Sequence, residues 1–362
     1  MIELSTMRKS TVTPPPAETS VPPAERSVVR RSHGGTAEAG QLDFSVNLNP
    51  LGPPDSLALA LAVEHLTSYP EPDSTTLRHA LAARHRLAER YGTGPESVLV
   101  TNGACEAIEL VMASLAPRRV VVLVPAFTEY EDAARAWGRT VVTIAAREED
   151  GFRWDFSRLD VGPDDLVVLG NPANPTGVLS EVPELEATLV VDETFLDFAE
   201  QVAEGGQAAS AIGRPRTLVI RSFTKLFACP GLRLGYVVGD VRALRARQPA
   251  WSVSRLAQIA GAAALADTGY QDFTRRFVRE RREELMQALE SVPGLKVFPS
   301  AANFLLIRVA KARETARRLA EQGIVVRVCD SFTELAPDTY LRVAVRKRSD
   351  NQRLVEALHA AR

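Results

Sequence analysis

"TLVIRSFTKLFACPGLRLGYVVG" (residues 217–239) is an apolar run, a polar stretch with a single lysine at 225, and a second apolar run. The opening run has no apolar–polar alternation, so the strand it predicts is covered on both faces, as in a mostly parallel sheet between helix layers. The same grammar repeats outward: "SVLVT" (97–101), "VVVLVP" (120–125), "TVVTIAA" (140–146), "DLVVLG" (165–170) and "TLVVDE" (188–193) read as further strands. Between them "ACEAIELVMASLA" and "EYEDAARAWG" have helical spacing, and the alternation defines an α/β fold.

From residue 241 the pattern changes. Residues 241–269 and 270–292 read as two long helices, followed by strands in "LKVFPS", "NFLLIRV", "IVVRV" and "YLRVAVR" with helices at 311–323 and 350–362, an α+β arrangement. The expected organisation is a Pro-rich disordered tail at 1–31, an arm at 32–55, a large domain at 56–245 and a small one at 246–362.

The chain has 362 residues and a net charge of −2, which gives no electrostatic reason to expect a nucleic acid or an anionic membrane as partner. No apolar run has the length of about 20 residues that spans a bilayer. Cys105, Cys229 and Cys329 are odd in number and far apart, which predicts neither a disulfide framework nor a metal site and fits the cytoplasm. The glycines of "YGTGPES" (91–97) precede a strand and lack a third glycine, the wrong context for a dinucleotide loop.

Lys225 lies just beyond the carboxyl end of a buried strand, where open α/β sheets bind ligands. "VTNGACEAIELV" (100–111) is strand, glycine turn and helix, so the amides of Ala104 and Cys105 point at whatever lies above the helix start, a place for an anion. Ser222, Thr224 and Arg233 supply hydroxyls and a forked cation to the same anion. "LGNPANPTG" (169–177) ends a strand in two Asn-Pro steps and brings Asn174 to this edge. Asp192 ends an apolar strand and needs a buried cationic partner. Pyridoxal 5'-phosphate meets all four demands: an aldehyde for the amine, a phosphate for the amides and hydroxyls, a protonated ring nitrogen for the aspartate and a ring oxygen for the asparagine.

With these residues and "SHGG" (32–35), "LDFSVNLNPLGPP" (42–54), "YPEPDSTTLRHALA" (69–82) and "PAFTEYEDA" (125–133), the chain from about 32 to 362 resembles the fold type I pyridoxal-phosphate enzymes of the class I/II aminotransferase family, in the branch with threonine-phosphate decarboxylase and histidinol-phosphate aminotransferase. The resemblance implies Lys225 as the Schiff-base lysine, Asp192 at the ring nitrogen, Asn174 at the ring oxygen, Phe127 stacked on the ring and Ala104, Cys105, Ser222, Thr224 and Arg233 around the phosphate. It implies a homodimer in which Tyr69 reaches the neighbouring subunit's phosphate. Arg342 would grip the substrate carboxylate and Arg327 its phosphate or carboxylate, with Asn47, His33 and Arg346 lining the substrate pocket.

Two positions depart from the family pattern. Residue 195 is phenylalanine where many relatives carry tyrosine, which removes a phenolic donor to the ring oxygen, and Cys105 stands where serine or threonine is usual. The resemblance implies decarboxylation of O-phospho-L-threonine, as in cobalamin-type pathways. The alternatives are aminotransfer on histidinol phosphate or a related amino acid, and a relative recruited to specialised metabolism that forms a new bond at the α carbon. A transcription regulator on this fold is disfavoured, because residues 1–31 are too short and Pro-rich for a helix-turn-helix.

Overall fold

The computed structural model describes residues 34–62, 67–199 and 210–361. His33–Arg362 form one compact unit, and the expected tail lies outside the described residues. In chain order the elements begin with β1 (Leu42–Asp43), α1 (Asp55–Ala62), α2 (Thr75–Arg84), α3 (Leu87–Tyr91), β2 (Val98–Thr101), α4 (Gly103–Ser114), β3 (Arg119–Val124), α5 (Glu129–Ala136) and β4 (Val141–Ala145). There follow β5 (Asp165–Gly170), β6 (Thr188–Asp192), β7 (Thr217–Ser222), the single turn α6 (Phe223–Leu226), β8 (Gly235–Val238), α7 (Arg242–Arg247), α8 (Arg255–Ala266) and α9 (Thr268–Glu290). The remainder is β9 (Leu295–Val297), β10 (Phe304–Val309), α10 (Ala312–Glu321), β11 (Ile324–Val325), β12 (Arg327–Val328), β13 (Tyr340–Ala344) and α11 (Arg348–Ala360).

Seven strands form one sheet in the order β2-β8-β7-β6-β5-β3-β4, in which β8 alone runs antiparallel to its neighbours. Successive residues of each central strand enter opposite cores: Val191 and Val219 pack into one, Val190 and Ile220 into the other. This two-sided burial is the physical reason for the unbroken Val/Leu/Ile runs. Because β5, β6 and β7 are parallel, their carboxyl ends, at Gly170, Asp192 and Ser222, meet on one edge of the sheet.

A second, antiparallel sheet has the order β12-β13-β10-β9, and β1 pairs in parallel with β11. The arm is thereby fastened to the carboxyl-terminal part of the chain: Leu42 faces Ile324, and Ala344 N–H donates to Phe44 O at 2.9 Å. "IVVRV" is therefore two short strands in different sheets, parted at Val326.

The long helix expected over 241–269 is broken into α7 and α8. Pro249 lacks an amide proton and holds the preceding Gln248 extended, at ψ 129°. The chain restarts as a helix at Ser254, whose side chain accepts a hydrogen bond from Ala257 N at 3.2 Å. The break lets α8 fold back on α1 and α2.

Candidate active site

A cavity of about 410 Å3 lies at the carboxyl ends of β5, β6 and β7 and is closed on one side by residues of the four-stranded sheet. Lys225, Asp192 and Asn174 all line it, although they come from three separate segments. Burial pulls the Lys225 amine down to about 8, and the charges of Arg342 and Arg233 add to the effect. At pH 7 about a tenth of this amine is uncharged, far more than for a free lysine, and the uncharged form is the one a nucleophile requires.

Asp192 is 7% exposed and is held from both sides. Its Oδ2 accepts from Tyr130 Oη at 2.7 Å and its Oδ1 from Thr194 N at 2.9 Å. Burial and the Asp192 charge push the Tyr130 phenol well above its usual range, so it remains a neutral donor. Tyr130 also meets the ring of Phe127 edge-on, with centroids 5.8 Å apart, and Phe127 lines the cavity. Sequence reasoning missed Tyr130. No local signal marks it: what identifies it is its reach to Asp192, 62 residues further along the chain.

The anion-holding part of the cavity is built from the start of α4 and the end of β7. Ala104, Cys105, Ser222, Thr224 and Arg233 all line it. The Ser222 and Thr224 hydroxyls are 2.7 Å apart, and Thr224 N donates to Ser222 Oγ at 3.2 Å. Gly103 opens α4 at φ +79°, and a Cβ there would fall 2.7 Å from Arg233 Nη2. Gly235 is just as confined, since a Cβ would lie 3.0 Å from Ala104 N, so β8 approaches the helix start only without a side chain. Burial and the nearby Glu129 carboxylate raise the Cys105 thiol, leaving it a neutral, weak donor.

Arg342, on β13, donates from Nη1 to Asn174 Oδ1 at 2.6 Å and from Nη2 to Ser45 O at 2.7 Å. Burial lowers its guanidinium to about 10, still charged at neutral pH. Arg327 donates to Ser331 Oγ at 2.6 Å and lies over the Phe332 ring. Both arginines are buried cavity residues, and neither is paired with a carboxylate among the described residues. Asn47 lines the same cavity, with its Oδ1 buried and unpartnered.

One residue expected in the pocket is not brought to it. Arg346 points away from it, donating to Asp43 O at 3.0 Å and Asp350 Oδ2 at 3.0 Å and stacking over Phe44; it fastens the arm to α11 instead of lining the pocket. Tyr69 is 79% exposed and pairs with Trp251 at 5.3 Å, outside this chain's own cavity. His33 lies outside the described residues. Ser45, Glu129, Thr194 and Phe332 line the cavity without having been anticipated.

The residues present fit pyridoxal phosphate: an uncharged-capable amine, an anion cradle that a Cβ at 103 would fill, a held carboxylate, and three buried polar atoms, Thr194 Oγ1, Asn47 Oδ1 and Arg342 Nε, without hydrogen-bond partners among the described residues. No group of three or more potential metal ligands occurs among the described residues, and no described helix is long and apolar enough to cross a membrane.

Fold and cavity define an α/β enzyme of fold type I, the pyridoxal-phosphate class. The chain belongs to the aminotransferase class I and II family, whose pattern matches residues 39–358. It is similar to the threonine-phosphate decarboxylase of Salmonella typhimurium, 38% identical over 336 residues, covering 88% of this chain and 90% of that protein. It is also similar to the histidinol-phosphate aminotransferase of Moorella thermoacetica, 32% identical over 340 residues that cover 88% and 84% of the two chains. Among solved structures, L-threonine-O-3-phosphate decarboxylase from Porphyromonas gingivalis superposes with a TM-score of 0.76 at 26% identity, over 88% of this chain and 98% of that one.

Proposed function

We propose that this protein is a pyridoxal-phosphate enzyme that decarboxylates O-phospho-L-threonine or a closely related dianionic amino acid. The observation that carries the proposal is the pair of buried arginines, Arg342 and Arg327, which face the cavity without a carboxylate partner. Two unneutralised guanidiniums call for two anionic groups on one substrate. O-phosphothreonine has a carboxylate and a phosphate, whereas histidinol phosphate has only the phosphate. The similarity to a threonine-phosphate decarboxylase points the same way.

Lys225 would hold the cofactor covalently through Nζ, while Ser222, Thr224, Arg233 and the amides of Ala104 and Cys105 hold its phosphate. Phe127 would cover one ring face and Asn174 bond the ring oxygen. When bound, the cofactor supplies a protonated ring that withdraws the electron pair left as a bond to the substrate's α carbon breaks. Asp192, oriented by hydrogen bonds from Tyr130 Oη and Thr194 N, would hold the proton on the ring nitrogen. Arg342 orients the substrate carboxylate and Arg327 its phosphate. Loss of carbon dioxide leaves the α carbon one proton short, and Lys225 Nζ, near neutral pH both a donor and an acceptor, supplies it.

We also place the protein in the cytoplasm as a homodimer. Its three cysteines are free, and the exposed Tyr69, Trp251 and Leu59 support contact with a second copy, through which Tyr69 would reach the neighbouring phosphate.

The test is an assay of the pyridoxal-phosphate-loaded protein with O-phosphothreonine, then with histidinol phosphate and a keto acid. Carbon dioxide and an amine phosphate from the first, without keto-acid consumption, are expected, and Lys225→Ala abolishes both. Consumption of the keto acid with histidinol phosphate overturns the proposal in favour of aminotransfer.

A further inference from the structure

The loop that joins β12 to β13 carries part of the cavity wall. Arg327 of β12 donates to Ser331 Oγ at 2.6 Å and lies over the ring of Phe332, and both Arg327 and Phe332 line the cavity. At its base the loop is fixed within the carboxyl-terminal part of the chain: Cys329 N donates to Tyr340 O at 3.0 Å, and Asp330 accepts from Arg313 Nε at 2.5 Å and from Asp338 N at 2.8 Å. Its tip is fixed elsewhere. Thr333 Oγ1 donates to Glu131 Oε1 at 2.5 Å, a bond to α5 that spans 202 residues. Glu131 is 3% exposed, and its other oxygen accepts from Arg135 Nη2 at 2.7 Å. Glu334, next to Thr333, is left-handed at φ +66°, a costly conformation for a residue with a Cβ, so the shape of the tip is held by its contacts and not by local preference. Two consecutive residues of α5 thus serve different parts of the cavity: Tyr130 holds Asp192, and Glu131 holds the loop beside Arg327.

We infer that Thr333 is a positioning residue for substrate selection, whose bond to Glu131 keeps Ser331 and Phe332 where they fix the Arg327 guanidinium for the phosphate of the substrate. The inference rests on the proposal that Arg327 takes this phosphate. Neither Thr333 nor Glu131 is among the described residues that line the cavity, so the contact acts through Arg327 and not on the ligand itself. A hydroxyl bonded to a carboxylate is a charge-assisted contact, stronger than a neutral pair. A guanidinium already fixed before binding loses less of its attraction for an anion to the ordering of its own side chain.

The experiment compares Thr333→Val, which deletes the hydroxyl and keeps the shape, with Thr333→Ser, which keeps the hydroxyl, both loaded with pyridoxal phosphate. The readouts are kcat and KM for O-phosphothreonine, the dissociation constant of L-threonine, which has the carboxylate without the phosphate, read from the absorbance of the bound cofactor, and the affinity of the apoprotein for pyridoxal phosphate. T333V is expected to raise KM for O-phosphothreonine about 5- to 30-fold, the range of one hydrogen bond, with kcat, threonine binding and cofactor affinity all within about twofold of wild type. T333S stays within about threefold of wild type in every readout. Melting of the loaded protein near the wild-type temperature shows that the fold is kept; if T333V does not fold, Thr333→Ala takes its place. A T333V protein with wild-type KM overturns the inference, and so does one in which threonine binding or kcat falls in step with KM, the signature of general damage to the cavity. Failure of the underlying proposal is separately visible, since wild-type protein would then neither turn over O-phosphothreonine nor bind it more tightly than threonine.

Discussion

The phenol of Tyr130, at the start of α5, donates to the carboxylate of Asp192, at the end of β6, at 2.7 Å in a fully buried setting. The direction in which Asp192 faces is thus set by a residue 62 positions earlier in the chain. Tyr130→Phe leaves the packing and removes the donor, a loss of about 1–3 kcal/mol for a buried acceptor. Cofactor affinity should fall about tenfold, read by fluorescence titration. Unchanged affinity would show that Thr194 N alone is sufficient to hold the carboxylate.

Lys225 gives a pH dependence with a definite sign. Its amine is pulled from 10.5 to about 8, chiefly by burial, so the uncharged form accumulates as pH rises through about 8. Uptake of pyridoxal phosphate by the apoprotein should accelerate over the same range and level off about one pH unit higher. Because the folded value lies below the unfolded one, the protonated amine opposes folding at low pH, and apoprotein stability rises with pH from about 8 to 10.5. Lys225→Met should abolish that slope in pH-dependent denaturant melts and be the more stable protein at pH 7.

Gly103→Ala should damage the anion cradle twice over. The residue would adopt φ +79°, unfavourable for any residue with a Cβ, and its methyl would displace Arg233 Nη2, which lies 2.7 Å from that point. A loss of about 1–3 kcal/mol in stability and a clear fall in phosphate-dependent cofactor affinity are expected. Pyridoxal, which lacks the phosphate, is the control ligand, and its binding should change far less.

Directly after Asp192, Glu193 enters the other side of the sheet and pairs with Arg221 of β7, Nη2 to Oε2 at 2.8 Å, while Asp197 takes a second nitrogen of the guanidinium at 3.2 Å. Glu193 also accepts from Ser210 Oγ at 2.7 Å and Ala211 N at 2.6 Å. Glu193→Ala leaves a buried guanidinium with one partner fewer and should cost about 3–5 kcal/mol in denaturant melts. A change below about 1 kcal/mol would mean that Asp197 suffices.

Lys225, Asp192 and Asn174 were legible in the sequence because each follows an apolar run, and the ends of parallel strands must share one edge of a sheet. The break at Pro249 was equally present in the letters, but the apolar spacing around it hid the helix end. Tyr130 and Thr333 were not legible. What marks them is a bond to a carboxylate on another segment, and that is not a property of local sequence. Arg346 looked like Arg342 for the same reason: two arginines four residues apart at the end of one strand differ only in what the fold places beside them, a cavity for one and the carbonyl of Asp43 for the other.

The bond from Arg342 Nη2 to Ser45 O joins residues 297 positions apart, and β1 finds its partner only in β11. Timing during synthesis follows from this. On the ribosome the arm is made long before β11 and β13 and cannot pair with them until they follow, so the wall holding Ser45 and Asn47 cannot be completed before those strands exist. A nascent chain stalled before β11 would lack this wall, so the closed pocket is available only once β13 has been made.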